Sequence, residues 1–147
     1  MSFSGGCQCG AVRYEIASAR LVGYACHCRE CQKQSASAFG TSVPVRKEDF
    51  VITGETQIWS RQSDSGGVTD CHFCPKCGSR VFHSAREGRD WITVKGGSLD
   101  DPCAIELLAH IWVKRRMGWV TLPDDVQQWD TQPESREEWH DLLEWDV

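Results

Sequence analysis

Nine cysteines in a chain of 147 residues constrain this fold more than any hydrophobic pattern, because seven of them fall into three short groups. These are Cys7-Gln8-Cys9-Gly10, Cys26-His27-Cys28-Arg29-Glu30-Cys31 and Cys74-Pro75-Lys76-Cys77-Gly78, with Cys71 and Cys103 outside them. A C-x-x-C turn lets two sulfurs converge on one ion, and a following glycine permits the tight backbone such turns need. Cys74 and Cys77 therefore form a strong zinc half-site. A C-x-C pair works differently: residues i and i+2 of an extended chain point to one face, so Cys7 and Cys9 make a second half-site.

The middle group combines both devices and offers three ligands, Cys26, Cys28 and Cys31. Zinc held by four thiolates is saturated and structural, whereas zinc with three protein ligands keeps one position for water or substrate. Seven grouped cysteines divide naturally into four and three. Other arrangements stay open at this point. Cys71, Cys103, His27, His72 or His83 could close the middle site as a fourth ligand, and Cys71/Cys74 is an alternative register for the second C-x-x-C. A ribbon pairing Cys28/Cys31 with Cys74/Cys77 exceeds the usual spacing, and a thioredoxin-like redox pair lacks its βαβ context. His27, between two ligands on a strand, should point to the opposite face. Cys71 and Cys103 read most simply as small buried hydrophobes.

The odd number of cysteines cannot pair completely, and the amino terminus has neither the basic nor the apolar region of a secretory signal. No stretch approaches a membrane span. A cytoplasmic location is expected, where grouped thiols bind metal more often than they form disulfides. A net charge of −5 argues against nucleic acid or an anionic membrane as partner. The charge is uneven, since the segment from Asp124 onward holds nine acidic residues and one basic one. Its plainest reading is a solvated helical face.

Short strand-like runs separated by Gly, Pro, Ser or Asp recur along the chain: Val12 to Ile16, Ala38 to Val45, Phe50 to Thr53, Gln57 to Ser60, Arg80 to His83, Trp91 to Lys95, Ile105 to Val113 and Trp119 to Leu122. They predict a single, mainly β domain over residues 1–147 with mostly antiparallel pairing. Trp139, Leu142 and Leu143, spaced i, i+3 and i+4, predict a C-terminal helix covering one side of the sheet. Its start is either Thr131/Glu134 or Ser135/Glu138, both with capping-box spacing.

Beyond spacing, Gly5 to Tyr14, Cys26 to Lys33, Phe73 to Ser79 and Gly97 to Pro102, with His110-Ile111, Trp119 and Leu122-Pro123, resemble the signature blocks of the glutathione-dependent formaldehyde-activating enzyme family, the CENP-V/GFA domain. The resemblance implies a β-tent (Mss-like) fold of small antiparallel sheets around a structural zinc. It implies two zinc ions per chain, a structural one on Cys7, Cys9, Cys74 and Cys77 and a catalytic one on Cys26, Cys28 and Cys31. The activity it implies is carbon–sulfur lyase chemistry, the addition of the glutathione thiol to formaldehyde, so a small-molecule thiol is the expected partner. Arg29, Lys33, Arg46 and Lys47 lie near the middle group in sequence, and one of them at most is expected to receive a carboxylate of such a thiol. A non-catalytic zinc-stabilised binding module using the acidic segment, and a thiol redox enzyme using Cys103, are the competing functions.

Overall fold

In the computed structural model, which describes residues 1–63 and 66–145, eleven strands form two sheets. Strands β1 (Ser2–Gly6), β2 (Arg13–Ala17) and β5 (Phe50–Thr53) make an antiparallel sheet in the order β1-β2-β5. The larger sheet contains β3 (Leu21–Cys26), β4 (Gly40–Arg46), β6 (Gln57–Gln62), β7 (Val68–Phe73), β8 (Arg80–Ala85), β9 (Trp91–Lys95), β10 (Ile105–Ile111) and β11 (Gln127–Gln128). Its order is β11-β10-β3-β4-β9-β8-β7-β6. Its pairings are antiparallel except where β10 runs parallel to β3 and to β11. The mainly β expectation, with a helix at the C-terminal end, is borne out.

Alternation explains the first core. On β2, Tyr14 and Ile16 are buried while Arg13, Glu15 and Ala17 are exposed, the signature of a strand with one wet face. Tyr14 and Ile16 meet Val43, Val45, Phe82, Ile92 and Val94 of the large sheet, so the small sheet covers one face of the large one. Each such side chain contributes about 1.5–3 kcal/mol on burial.

Strand β3 behaves differently, because all six of its residues, Leu21 to Cys26, are buried. It sits between β10 and β4 with both faces covered, as strands in parallel pairing usually are. Leu21 joins the first core, while Val22, Tyr24 and Cys26 join a second one with Ala109, Ile111, Trp139, Leu142 and Leu143.

Those last three belong to helix α2 (Arg136–Leu143). Ser135 is its N-cap: the Ser135 hydroxyl accepts from the Glu138 backbone N–H and the Glu138 carboxylate accepts from the Ser135 N–H. This settles the start in favour of Ser135/Glu138. The acidic segment is tied into the fold here, since Glu144 pairs with Arg20 at 2.5 Å. Its last two residues lie outside the described ones. The helix packs over β3 and β10, and its His140 reaches Trp91 of β9 with ring centroids 5.9 Å apart.

Two expectations need correction. Trp119 to Leu122 is not a strand: it follows Gly118, precedes Pro123, and holds Trp119 at 75 % exposure. Cys103 is exposed, in a 3-10 turn at Pro102–Ala104, whereas Cys71 is buried as expected. No helix of the described residues is long and apolar enough to cross a membrane.

Candidate metal centres

Two cysteine clusters form, and they are the two groups that spacing predicted. Cys7, Cys9, Cys74 and Cys77 bring their sulfurs within 4.8 Å of one another, as do Cys26, Cys28 and Cys31. Either cluster could hold a metal ion.

The four-thiol cluster is built by two turns. After β1 the chain reverses so that the Cys7 N–H donates to the Val12 carbonyl and the Val12 N–H reaches the Cys7 sulfur at 3.2 Å. In the loop between β7 and β8 the Gly78 N–H donates to the Cys74 carbonyl at 2.8 Å, and Gly78 takes φ +79°, which only glycine adopts without strain. The sulfurs of Cys7 and Cys9 are 3.6 Å apart and those of Cys9 and Cys74 3.7 Å. Four sulfurs placed about 2.3 Å from a tetrahedral zinc would be roughly 3.8 Å apart, so the donor set fits that ion. Hydrogen bonds from the Ser79 hydroxyl and N–H hold the Cys77 thiol down to about 5.

The three-thiol cluster spans a strand end and a helix start. Cys26 closes β3, Cys28 is the N-cap of helix α1 (Arg29–Ser35), and Cys31 lies in its first turn, with its N–H donating to the Cys28 sulfur at 3.4 Å. The thiols of Cys26 and Cys31 hydrogen-bond to Cys28 and stabilise its thiolate, shifting its pKa far down, while the Cys26 thiol is pushed up by the same contacts and by burial. Cys26 and Cys31 are buried and Cys28 is half-buried, so the cluster opens on the Cys28 side.

No histidine or further cysteine among the described residues joins either cluster. His27 is fully buried and faces away, its Nε2 at 3.0 Å from Nδ1 of His110. His72 stacks on Phe82 at 4.1 Å. Cys71 sits on β7 opposite His83, which removes the Cys71/Cys74 register.

Above the three thiols lies a cavity of about 1210 Å³. Its floor is the face of the large sheet turned away from the small sheet, where Tyr24, Ser42, Thr93 and His83 project from successive strands, and Trp139 of α2 forms part of its wall. Burial, reinforced by Lys95 and by Arg61, Arg89 and Arg80, holds His83 far below the usual imidazole range and hence neutral.

Although the chain is acidic overall, the lining of this cavity holds five arginines, Arg29, Arg61, Arg86, Arg89 and Arg115, against Glu30 and Glu87. Arg86 is engaged with Asp70 at 2.8 Å. Of the four basic residues singled out from sequence, only Arg29 is here. Arg46 lies over Trp145 and near Asp90, Lys47 donates to the Arg89 carbonyl, and Lys33 is not part of the lining. Arg61, Arg89 and Arg115 arrive from β6, from the β8–β9 connection and from the turn after β10, so no local signal announces them.

Gln32 was also missed. Buried in α1, it donates from Nε2 to the carbonyls of His27 and Arg115 at 2.7 and 3.0 Å and accepts from Arg29 at 2.7 Å. It ties the cysteine knuckle to the turn that carries Arg115.

Comparison with known proteins agrees with this layout. A Halomonas elongata protein that carries the provisional name glutathione-dependent formaldehyde-activating enzyme is 24 % identical over 153 residues, covering 97 % of each chain. A crystal structure of a Rhodobacter sphaeroides protein matches with a TM-score of 0.51 at 17 % identity, covering 86 % of this chain and 98 % of that one, a likeness of fold. The sequence profile of the glutathione-dependent formaldehyde-activating enzymes matches residues 2–115, which contain both cysteine clusters, and this chain belongs to that family.

Proposed function

We propose that the protein is a zinc-dependent enzyme that adds a small anionic thiol of the glutathione type to a small aldehyde such as formaldehyde, a carbon–sulfur lyase in the reverse direction. Cys7, Cys9, Cys74 and Cys77 hold a structural zinc in this account, and Cys26, Cys28 and Cys31 hold a catalytic one. The observation that carries it is the three-thiol cluster, one ligand short of a tetrahedron, opening on the Cys28 side into a cavity with a surplus of guanidinium groups.

A metal in that cluster supplies an open position at which an incoming thiol is deprotonated near neutral pH. The chain's own residues do the rest. Arg29, Arg61, Arg89 and Arg115 receive the carboxylates of the thiol substrate, since guanidinium matches carboxylate in geometry as well as charge. Gln32 fixes Arg29 against the knuckle, which aims one of these contacts. Trp59, Trp91, Trp112 and Trp139 line the same cavity and exclude water from the sulfur once substrate is in place. Neutral His83 on the floor hydrogen-bonds substrate without adding charge.

The test compares wild type with Cys28→Ser, following S-hydroxymethylglutathione from glutathione and formaldehyde by NMR together with zinc per chain. Turnover lost with one of two zinc equivalents, the fold retained, is the expected result. Turnover unchanged in Cys28→Ser would overturn the assignment.

A further inference from the structure

The outermost strand of a sheet presents a row of unpaired N–H and C=O groups that another extended chain can satisfy. Three of the four edges in this fold are short or covered. Outside β1, Leu99 bridges to Gly5 and the Asp100 N–H donates to the Ser4 carbonyl at 2.9 Å. Strand β5, on the free side of the small sheet, has four residues, and β11, at one end of the large sheet, has two. Strand β6, at the other end of the large sheet, is different. Its six residues, Gln57 to Gln62, pair in unbroken register with β7 and, among the described residues, with no other strand.

This edge carries few of the devices that keep edges apart. It has no proline, no lysine and no bulge, and Arg61 is its single charge. Its two large apolar side chains are out in solvent, Ile58 at 55 % and Trp59 at 49 % exposure, on opposite faces of the strand. A long, flat, apolar edge without guards is a template for strand pairing.

We propose that β6 pairs antiparallel with β6 of a second copy of this chain, joining the two large sheets across a two-fold axis. In an antiparallel ladder the outward N–H and C=O groups come from alternate residues, so in a symmetric pair each residue faces one of its own parity and the axis passes through a residue. Overlaps of five residues centre on Trp59 or on Ser60. Ser60 on the axis sets a small side chain against its own copy, brings Ile58 opposite Gln62 of the partner subunit, and brings Trp59 opposite Arg61 of the partner subunit. Each exposed indole is then covered by a long side chain, twice over, and no like charges face each other. This self-match favours a second copy over an unrelated strand. Trp59 and Arg61 line the cavity above the three-thiol cluster, so pairing also sets Arg61 of the partner subunit beside that cavity.

Sedimentation velocity of the full zinc-loaded chain over a concentration series reads the pairing. Wild type should pass from monomer to dimer as concentration rises. Ile58→Lys installs an edge guard at an exposed side chain and enters the interface twice, so it should raise the midpoint roughly tenfold with zinc content unchanged. Wild type monomeric throughout overturns the proposal and leaves the edge to a strand of some other protein. A dimer whose midpoint Ile58→Lys does not move overturns it too, because the contact then lies elsewhere.

Disulfide trapping reads the register and decides the matter should Ile58→Lys fail to fold. Directly opposed residues of an antiparallel pair have α-carbons about 4.5–5.5 Å apart, within the span of a disulfide. Ser60→Cys should therefore yield a covalent dimer on mild oxidation, joined at position 60 in the peptide mass spectrum. Gln57→Cys should not, since its two copies lie about 20 Å apart in this register. Cross-linking at both positions, at neither, or at 57 alone would overturn the proposal.

Discussion

Replacing Gln32 with leucine removes a side chain that, with Arg29, joins the cysteine knuckle to the Arg115 turn. The His27 and Arg115 carbonyls both lose the Gln32 donor at 2.7 and 3.0 Å. The buried His27 carbonyl left without its partner costs about 1–3 kcal/mol, while the exposed Arg115 carbonyl keeps Arg29 at 3.3 Å and the bond to Arg29 is replaced by water at little cost. Leucine returns about 1 kcal/mol through its apolar surface. The net loss is up to about 2 kcal/mol, which for a chain of this size lowers Tm by up to roughly 8 °C. Because Gln32 lies between Cys31 and the Arg29 contact, the loss concentrates at the three-thiol cluster. Losing a group that orients metal ligands typically weakens binding by about 10–100-fold. Thermal unfolding and zinc release to a chromophoric chelator read both effects. The faster-released zinc equivalent should leave sooner in Gln32→Leu, with the slower one unchanged. Stability within about 0.5 kcal/mol of wild type and identical release of both equivalents would refute the reasoning.

Three other perturbations probe separate parts of the account. Leu143→Ala, at a residue only 1 % exposed between α2 and the large sheet, should cost about 2–5 kcal/mol in urea unfolding, and Ser135→Ala about 1 kcal/mol through loss of the capping box. Asp100 is held down to about 2 by the Arg13 guanidinium and the Ser4 hydroxyl; a carboxylate with a depressed pKa contributes stability above its unfolded value of about 4, lost as pH falls through its folded value. Asp100→Asn should therefore be less stable than wild type at pH 7, and the gap should close between pH 4 and 2, roughly; a gap independent of pH contradicts this. Cys103→Ser, exposed and outside both clusters, should keep zinc content and turnover, whereas loss of turnover would revive a thiol redox mechanism.

The clusters were legible in sequence because C-x-C and C-x-x-C spacing is local geometry, and so were Phe50–Thr53 and Trp91–Lys95, whose bounds the structure repeats. Elements whose signal is not local were missed. Leu21–Cys26 is buried on both faces and shows no alternation, and Ser2–Gly6, with two glycines and two serines, reads as a loop until β2 pairs with it. Helix α1 was hidden by the cysteine motif occupying its cap and first turn. The cavity arginines lie far apart in the chain and meet only through strand order. Ile105 to Val113 was read two residues too long because Trp112 takes φ +55° and ends the strand, a turn that an apolar run does not announce.

The division of seven thiols into a closed set of four and an open set of three is the central claim, and zinc-edge X-ray absorption tests it most directly. With two zincs per chain and no added thiol, the mean coordination should be three and a half sulfurs per zinc, the remaining position being a light atom. Saturating glutathione should raise it to four. Four sulfurs per zinc before glutathione is added, or a single zinc per chain, would contradict the account.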